Sequence, residues 1–190
     1  GLIGAAAIDK KGDPYPAETH QLCMDSDAVL FGAIGDPRYD NDPGAKLRPE
    51  KGLLEMRSRL GLFANLRPVR SIAALNYKSP LKEEIIKGVD FVAVRELTGG
   101  IYFGRPQGRS EDGEPAYDTC VYHKYEVERI SRLAFDLAMK RRGRLCMVDK
   151  ANVLATSRLW REVVRELSAD YPGVEVEYMF VDNAAMQLIQ

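Results

Sequence analysis

The sequence is poor in residues on which much enzyme chemistry depends: two histidines, three cysteines and one tryptophan among 190 residues. His20 and His123 lie far apart with no cysteine cluster beside either, so no zinc pattern is present. Cys23, Cys120 and Cys146 are an odd number without metal-ligand spacing, the usage expected of free thiols in a reducing compartment. An excess of one charge is lacking too: 27 basic against 28 acidic side chains leave a formal net charge of −1. Nothing in that balance pulls the chain as a whole toward nucleic acid or an acidic membrane surface. No apolar run approaches the roughly 18 to 20 residues that span a bilayer, and no charged, apolar, small-residue leader opens the chain. A soluble cytoplasmic protein is the expectation. Three signatures are also missing: G-x-G-x-x-G after a strand, G-x-x-x-x-G-K-[ST] and G-x-S-x-G. Rossmann, P-loop and serine-hydrolase sites are thereby unsupported.

With 45% apolar and 29% charged residues, the chain has material for one globular domain or for two small lobes sharing a sheet. It opens on Gly1 without methionine, which reads as the interior of a longer polypeptide. A short helix is predicted over 17–25 and a buried strand over 28–34, followed by a Pro- and Gly-rich loop over 36–50. A helix suits 52–60 and a strand 63–69. After an irregular stretch, a helical turn is expected over 81–86 and a strand over 90–95. Residues 104–124 are polar and turn-rich, either a loop or an extended arm. The clearest helix is 124–141, with Val127, Ile130, Leu133, Ala134, Leu137 and Ala138 on one face. A buried strand over 144–148, a helix from Ser157 to about Ala169 with Ser157 as its cap, a strand over 174–181 and a helix from Asp182 complete the pattern. Strands alternating with helices predict an α/β fold. In such folds active groups gather beyond the carboxyl ends of strands, where Arg95, Asp149, Lys150 and Asp182 fall.

Around these ends lie the residues with chemical potential. Val94 to Gly104 reads V-R-E-L-T-G-G-I-Y-F-G and delivers Arg95 and Tyr102 on either side of a Gly99-Gly100 turn. A guanidinium fork fits a carboxylate, and a phenol can give or take a proton. Arg57, Arg67 and Arg95 each follow an apolar segment. Singly, each reads as a solvated or salt-bridged arginine; jointly they would hold a small diacid in a fixed orientation. Lys150 is either a surface lysine at a strand end or a base, and Tyr102 either a satisfied aromatic or an acid. Asp182 is either a helix cap or an oxygen ligand for Mg²⁺ or Mn²⁺.

Five stretches, G-L-L-E-M-R (52–57), L-F-A-N-L-R-P-V (62–69), R-E-L-T-G-G-I-Y-F-G (95–104), V-D-K-A-N-V-L (148–154) and V-D-N-A-A-M-Q-L (181–188), together resemble the isocitrate/isopropylmalate dehydrogenase family of β-decarboxylating dehydrogenases. The resemblance runs over essentially the whole chain. Leu97-Thr98-Gly99 favours the isopropylmalate branch, since isocitrate and homoisocitrate relatives would be expected to show R-E-N-T-E/S-E there. It implies a mixed sheet flanked by helices, in two lobes about a central cleft: a partial first lobe over 1–62, and a second over 63–190 with a dimerisation arm at about 105–124. It implies oxidative decarboxylation of (2R,3S)-3-isopropylmalate with reduction of NAD⁺, in leucine biosynthesis. By the resemblance Arg57, Arg67 and Arg95 bind the malate carboxylates, Leu53, Leu54 and Val153 surround the isopropyl group, and Glu50 and Asn152 lie at the cofactor. Asp182 holds the divalent ion, Lys150 takes the hydroxyl proton and Tyr102 protonates carbon after CO₂ leaves. Lys150 and Asp182 would come from the neighbouring subunit of a homodimer.

The family's opening Gly-Asp-Gly-Ile turn, its later metal-binding aspartates and its adenine loop have no counterpart among these residues, so the 190 residues by themselves are expected not to turn over substrate. Three other readings stand beside this one. The chain could belong to a tartrate or homoisocitrate dehydrogenase of the same family, or to a non-catalytic dimerisation module. Nucleic-acid binding through Lys140-Arg141-Arg142 competes with a basic helix end.

Overall fold

The computed structural model describes residues 1–41 and 46–189. The chain divides into two compact units, Gly1–Phe63 and Ala64–Gln190. Helices and short sheets give the expected α/β character, with antiparallel and parallel pairings distributed over three two-stranded sheets among the described residues.

The first unit is helical: α1 (Ala5–Lys11), α2 (Ala17–Met24), α3 (Pro37–Asp40) and α4 (Pro49–Arg59). Its interior is small, formed by Ala5, Ala7, Tyr15 and Met56 with Thr19. Gly52 allows α4 to press on the preceding chain, because a Cβ there would stand 2.3 Å from the Pro14 carbonyl oxygen. The strand predicted over 28–34 does not form. These residues have no ladder partner among the described residues, and Leu30 is fully exposed; an apolar run becomes a strand only where a neighbour takes its backbone bonds. The expected loop over 36–50 is also corrected, since Asp36 accepts the Arg38 N–H at 3.0 Å and caps the short α3. Residues 42–45 of that loop lie outside the described residues.

Tyr15, 1% exposed, shares a 3.0 Å hydrogen bond with His20 Nδ1. Burial first, then the neighbouring Cys23, pushes its phenol up from 10.0 to about 12. The neutral phenol is the form that folding favours, so the unfolded chain gives up this proton first. This contribution to stability is complete below about pH 10 and is lost as pH rises to about 12. An absorbance titration of tyrosinate is expected to show a late step near pH 12 that disappears in Tyr15→Phe.

In the second unit β1 (Ala64–Arg70) and β2 (Asp90–Glu96) form an antiparallel pair. Between them come a 3₁₀ stretch, Ala73–Lys78, and α5 (Glu83–Ile86). After β2 the chain makes a 3₁₀ turn, Gly100–Tyr102, and then a hairpin of β3 (Gln107–Arg109) and β4 (Ala116–Asp118). The polar 104–124 stretch is thus a small two-stranded ribbon. The long helix α6 (Lys124–Met139) leads to β5 (Arg144–Asp149), α7 (Ala155–Ser168), β6 (Glu175–Phe180) and α8 (Val181–Gln187). β5 and β6 run parallel, in register from Arg144 opposite Glu175 to Asp149 opposite Phe180.

The core lies where α6 and α7 meet and cover one face of the β5–β6 pair. Val127, Phe135, Ala138, Met147, Val163, Val164, Leu167 and Val174 form one buried cluster. Phe135, fully buried, stacks on Tyr171 at 4.6 Å between centroids. Two sequence-based expectations change here. β5 is not buried on both faces: Leu145, Met147 and Asp149 turn inward, while Val148 remains 48% exposed beside an apolar trough of about 780 Å³. Ser157 does not cap α7, which starts at Ala155 after Leu154; its hydroxyl instead accepts the Lys150 N–H at 3.1 Å.

Candidate active site

The pleat of the β1–β2 pair determines where two of the three arginines stand. Asn65 lies opposite Arg95 and Arg67 opposite Ala93. Directly opposed residues share a face, as do residues two apart on a strand, so Arg67 and Arg95 are diagonal neighbours on one face. Both are exposed. Arg67 Nε donates to Asn65 Oδ1 at 2.7 Å, which orients its fork along the strand. The guanidinium of Arg95 lies 5.6 Å from the centroid of the Tyr102 ring. That contact joins two side chains seven residues apart across the turn. The turn needs glycine at Gly100, where φ is +77° and a Cβ would stand 2.4 Å from the Tyr122 hydroxyl.

Arg95 and Tyr102 line a cavity of about 340 Å³ together with Tyr122, Asp149, Ser157 and Trp160. Trp160 meets Tyr122 edge-on at 5.3 Å. Burial pushes the Tyr122 phenol above its ordinary range. The cavity therefore has a cationic fork and a phenol at its rim and aromatic surface in its wall.

Lys150 and Asp182 form a second cluster, with Lys150 Nζ at 2.6 Å from Asp182 Oδ1. β5 and β6 are parallel neighbours, so the turn after one and the helix start after the other lie side by side. The Lys150 ammonium, through this hydrogen bond, holds the Asp182 carboxyl below its ordinary value, with a backbone bond adding to the effect. Asp182 is not the N-cap of α8; that position belongs to Phe180, and Asp182 sits in the first turn. Asn152 and Val153 lie in the turn after Lys150, both exposed. Neither Lys150 nor Asp182 lines the cavity that holds Arg95 and Tyr102.

In the first unit, Glu50, Leu53, Leu54 and Arg57 fall on α4 at spacings of three and four, and so share one helix face. Glu50 is exposed, and the other three are half-buried. The opposite side of α4, through Gly52 and Met56, is the buried one.

Two ion pairs with buried carboxylates lie beneath these groups, and the sequence reading did not anticipate them. Glu96, next to Arg95 but on the other face of β2, pairs with Arg129 of α6 at 2.5 Å. Asp149, next to Lys150, takes both Nε and Nη2 of Arg161 from α7, at 2.6 and 3.2 Å. Both carboxylates stand at strand ends on the inward-facing positions of the pleat. Charged residues at such positions require partners, and that was the signal available in the sequence.

The described residues do not by themselves compose a metal centre: none of their His, Cys, Asp and Glu side chains cluster in threes around a possible ion. Asp182 supplies one carboxylate where a hard divalent ion takes about six oxygens. Among the described residues no glycine-rich phosphate cradle accompanies Glu50 or Asn152.

The second unit thus carries a pair of arginines, a phenol and a lysine–aspartate couple at the strand ends of an α/β arrangement. The chain belongs to the isocitrate/isopropylmalate dehydrogenase family, whose profile matches residues 1–190. It is 57% identical over 189 residues to a 3-isopropylmalate dehydrogenase of Bacteroides fragilis, covering 100% of this chain and 53% of that protein. It is 59% identical over 192 residues to the 3-isopropylmalate dehydrogenase of Geobacillus kaustophilus, covering 100% of this chain and 52% of that protein. The chain thus spans about half the length of these relatives. Among solved structures, isocitrate dehydrogenase from Methylococcus capsulatus superposes with a TM-score of 0.84 at 30% identity, over 99% of this chain and 52% of that one. A beta-decarboxylating dehydrogenase from Thermococcus kodakarensis, in its apo form, gives 0.67 at 31% identity, over 98% of this chain and 49% of that one.

Proposed function

We propose that the protein carrying this chain oxidatively decarboxylates 3-isopropylmalate to 2-oxoisocaproate with NAD⁺ as hydride acceptor, as a step of leucine biosynthesis. The observation that carries the reading is the placement of Arg67 and Arg95 on one sheet face with Tyr102 against the Arg95 guanidinium. Two forks on one face match two carboxylates of a short diacid, and a phenol beside one of them can return a proton to the carbon that loses CO₂. The names of the relatives at 57% and 59% identity support the choice of acid.

In this reading α4 contributes Arg57 to a carboxylate and Leu53 and Leu54 to the isopropyl group, with Val153 as a further apolar contact. A dry surface of this kind refuses isocitrate, whose third carboxylate would lose its water there. Lys150 takes the hydroxyl proton. The Lys150–Asp182 couple and the Arg95–Tyr102 cavity are separate half-sites on one chain, and a homodimer in which each protomer completes the other's site would unite them. The ribbon at 107–118 serves as the arm of that dimer. The divalent ion, Mg²⁺ or Mn²⁺ at Asp182, supplies Lewis-acid chemistry once its remaining ligands are provided, and Glu50 and Asn152 face the cofactor. The expected compartment is the cytoplasm; among the described residues no helix is long and apolar enough to cross a membrane.

A full-length protein with this chain is expected to reduce NAD⁺ with 3-isopropylmalate at a kcat/KM at least about 100-fold above that with isocitrate, homoisocitrate or tartrate. Steady-state assays with the four acids decide it. A preference for tartrate or homoisocitrate would move the assignment to a sibling enzyme, and binding without turnover of any would leave a non-catalytic module.

A further inference from the structure

The turn that carries Arg95 to Tyr102 contains two adjacent glycines, the most conformationally free sequence a turn can have. Yet both side chains meet at one cavity rim. What stiffens the turn is Glu96. Its side chain is 1% exposed. Oε2 accepts the N–H groups of Thr98 and Gly99, each at 2.7 Å. Oε1 accepts the Thr98 hydroxyl at 3.0 Å and Arg129 Nη2 at 2.5 Å. The same Nη2 reaches Thr98 Oγ1 at 2.6 Å, closing a ring of three side chains. Arg129 belongs to α6, and its guanidinium lies 5.5 Å from the Tyr125 ring centroid. The turn is therefore bolted to the helix that forms the core.

We propose that Glu96, Thr98 and Arg129 are positioning residues that hold Arg95 and Tyr102 in the direction needed to bind the substrate; this rests on the function proposed above. Burying the Glu96 carboxylate against an Arg129 side chain that stays 31% exposed brings little net stability, because desolvation of the carboxylate offsets the attraction. Geometry is the stronger reason to place them there, since a small misplacement of a binding fork costs affinity. The second strand end repeats the construction: Asp149, its side chain 3% exposed, is held by Arg161 and accepts the Ala151 N–H at 2.8 Å beside Lys150. Twice in one chain, an inward carboxylate at a strand end is clasped by a helix arginine and braces the turn next to a cation that faces outward.

The test compares Thr98→Val, Arg129→Met and Arg129→Lys in a full-length protein carrying this chain, with KM, kcat and melting temperature measured for each. Thr98→Val removes the hydroxyl shared by Glu96 and Arg129 while keeping side-chain volume and both amide bonds, so its fold is retained. Its KM for 3-isopropylmalate is expected to rise about tenfold, with a smaller fall in kcat and a melting temperature near that of the parent. Arg129→Met is expected to raise KM about 10- to 100-fold, and Arg129→Lys to recover part of that loss. A parent enzyme that turns over isopropylmalate while Thr98→Val keeps its KM within about twofold overturns the positioning role and leaves the functional reading intact. A parent enzyme without turnover of this acid overturns the functional reading and, with it, this inference.

Discussion

Arg95→Ala in a full-length protein carrying this chain is expected to lower kcat/KM for 3-isopropylmalate by about 10²- to 10³-fold, a loss of about 3–4 kcal/mol of transition-state binding. Two separate contacts are lost. The carboxylate that the fork would grip is left facing an alanine, which raises KM. The Tyr102 ring loses the cation 5.6 Å from its centroid and with it a contact that positions the ring at the cavity rim, which lowers kcat. Arg95→Lys separates the two, because an ammonium keeps the charge but offers neither a planar fork nor the same cover for the ring. Its kcat/KM is expected to fall between those of the parent and the alanine variant, about tenfold below the parent. Arg67→Ala provides the comparison on the same sheet face. Arg67 leans on Asn65 and has no part in the Tyr102 contact, so its loss should appear in KM with kcat nearly unchanged. Steady-state kinetics on the three variants are decisive, and an Arg95→Ala enzyme with parental KM would remove Arg95 from the substrate site.

The parts of this arrangement that were legible in the sequence are those dictated by local periodicity. The period of the apolar residues over 124–141 foretold α6, of which Val127, Ile130 and Ala138 are buried while Leu133, Ala134 and Leu137 are half-buried and Phe135 joins the buried face instead; the apolar run before Arg95 foretold β2. The shared face of Glu50, Leu53, Leu54 and Arg57 was not legible, because the sequence suggested a helix only over 52–60 and left Glu50 in the preceding loop, whereas α4 begins at Pro49. Contacts over long sequence separations were not legible. Nothing local to 28–34 reveals that, among the described residues, no neighbouring strand takes its backbone bonds, and the apolar run is irregular. Ser157 has the chemistry of a cap, yet its hydroxyl is taken by the Lys150 amide seven residues earlier. The pairing of Glu96 with Arg129 spans 33 residues and that of Asp149 with Arg161 spans 12, so neither follows from a motif. The motifs contain Glu96, Thr98 and Asp149 themselves; what they do not contain is the helix arginines Arg129 and Arg161 that pair with the two carboxylates.

Phe135→Ala is expected to cost about 3–5 kcal/mol of stability, among the largest losses any single substitution in the second unit should produce. The ring is fully buried, stacked on Tyr171 at 4.6 Å, and belongs to the cluster that joins α6 and α7 to the β5–β6 pair. Truncation removes its transfer free energy and leaves a cavity that close-packed neighbours fill only partly. Phe135→Leu keeps most of the volume and should cost about 1–1.5 kcal/mol, as shape-altering but volume-conserving exchanges do. Urea unfolding of the full-length protein measures both, as a lower midpoint with an unchanged slope. Because Arg129 is carried by the same helix, Phe135 also separates two ways of disturbing the site. Phe135 lies in the core and has no hydrogen bond to the Glu96–Thr98 turn, so the folded fraction of Phe135→Leu should retain the parental KM. Thr98→Val should do the reverse, with a near-parental midpoint and a raised KM. Opposite movements of stability and affinity in these two variants would establish that α6 supports the fold with one face and aims the Arg95 turn with another; parallel movements would mean that the turn depends on overall stability alone.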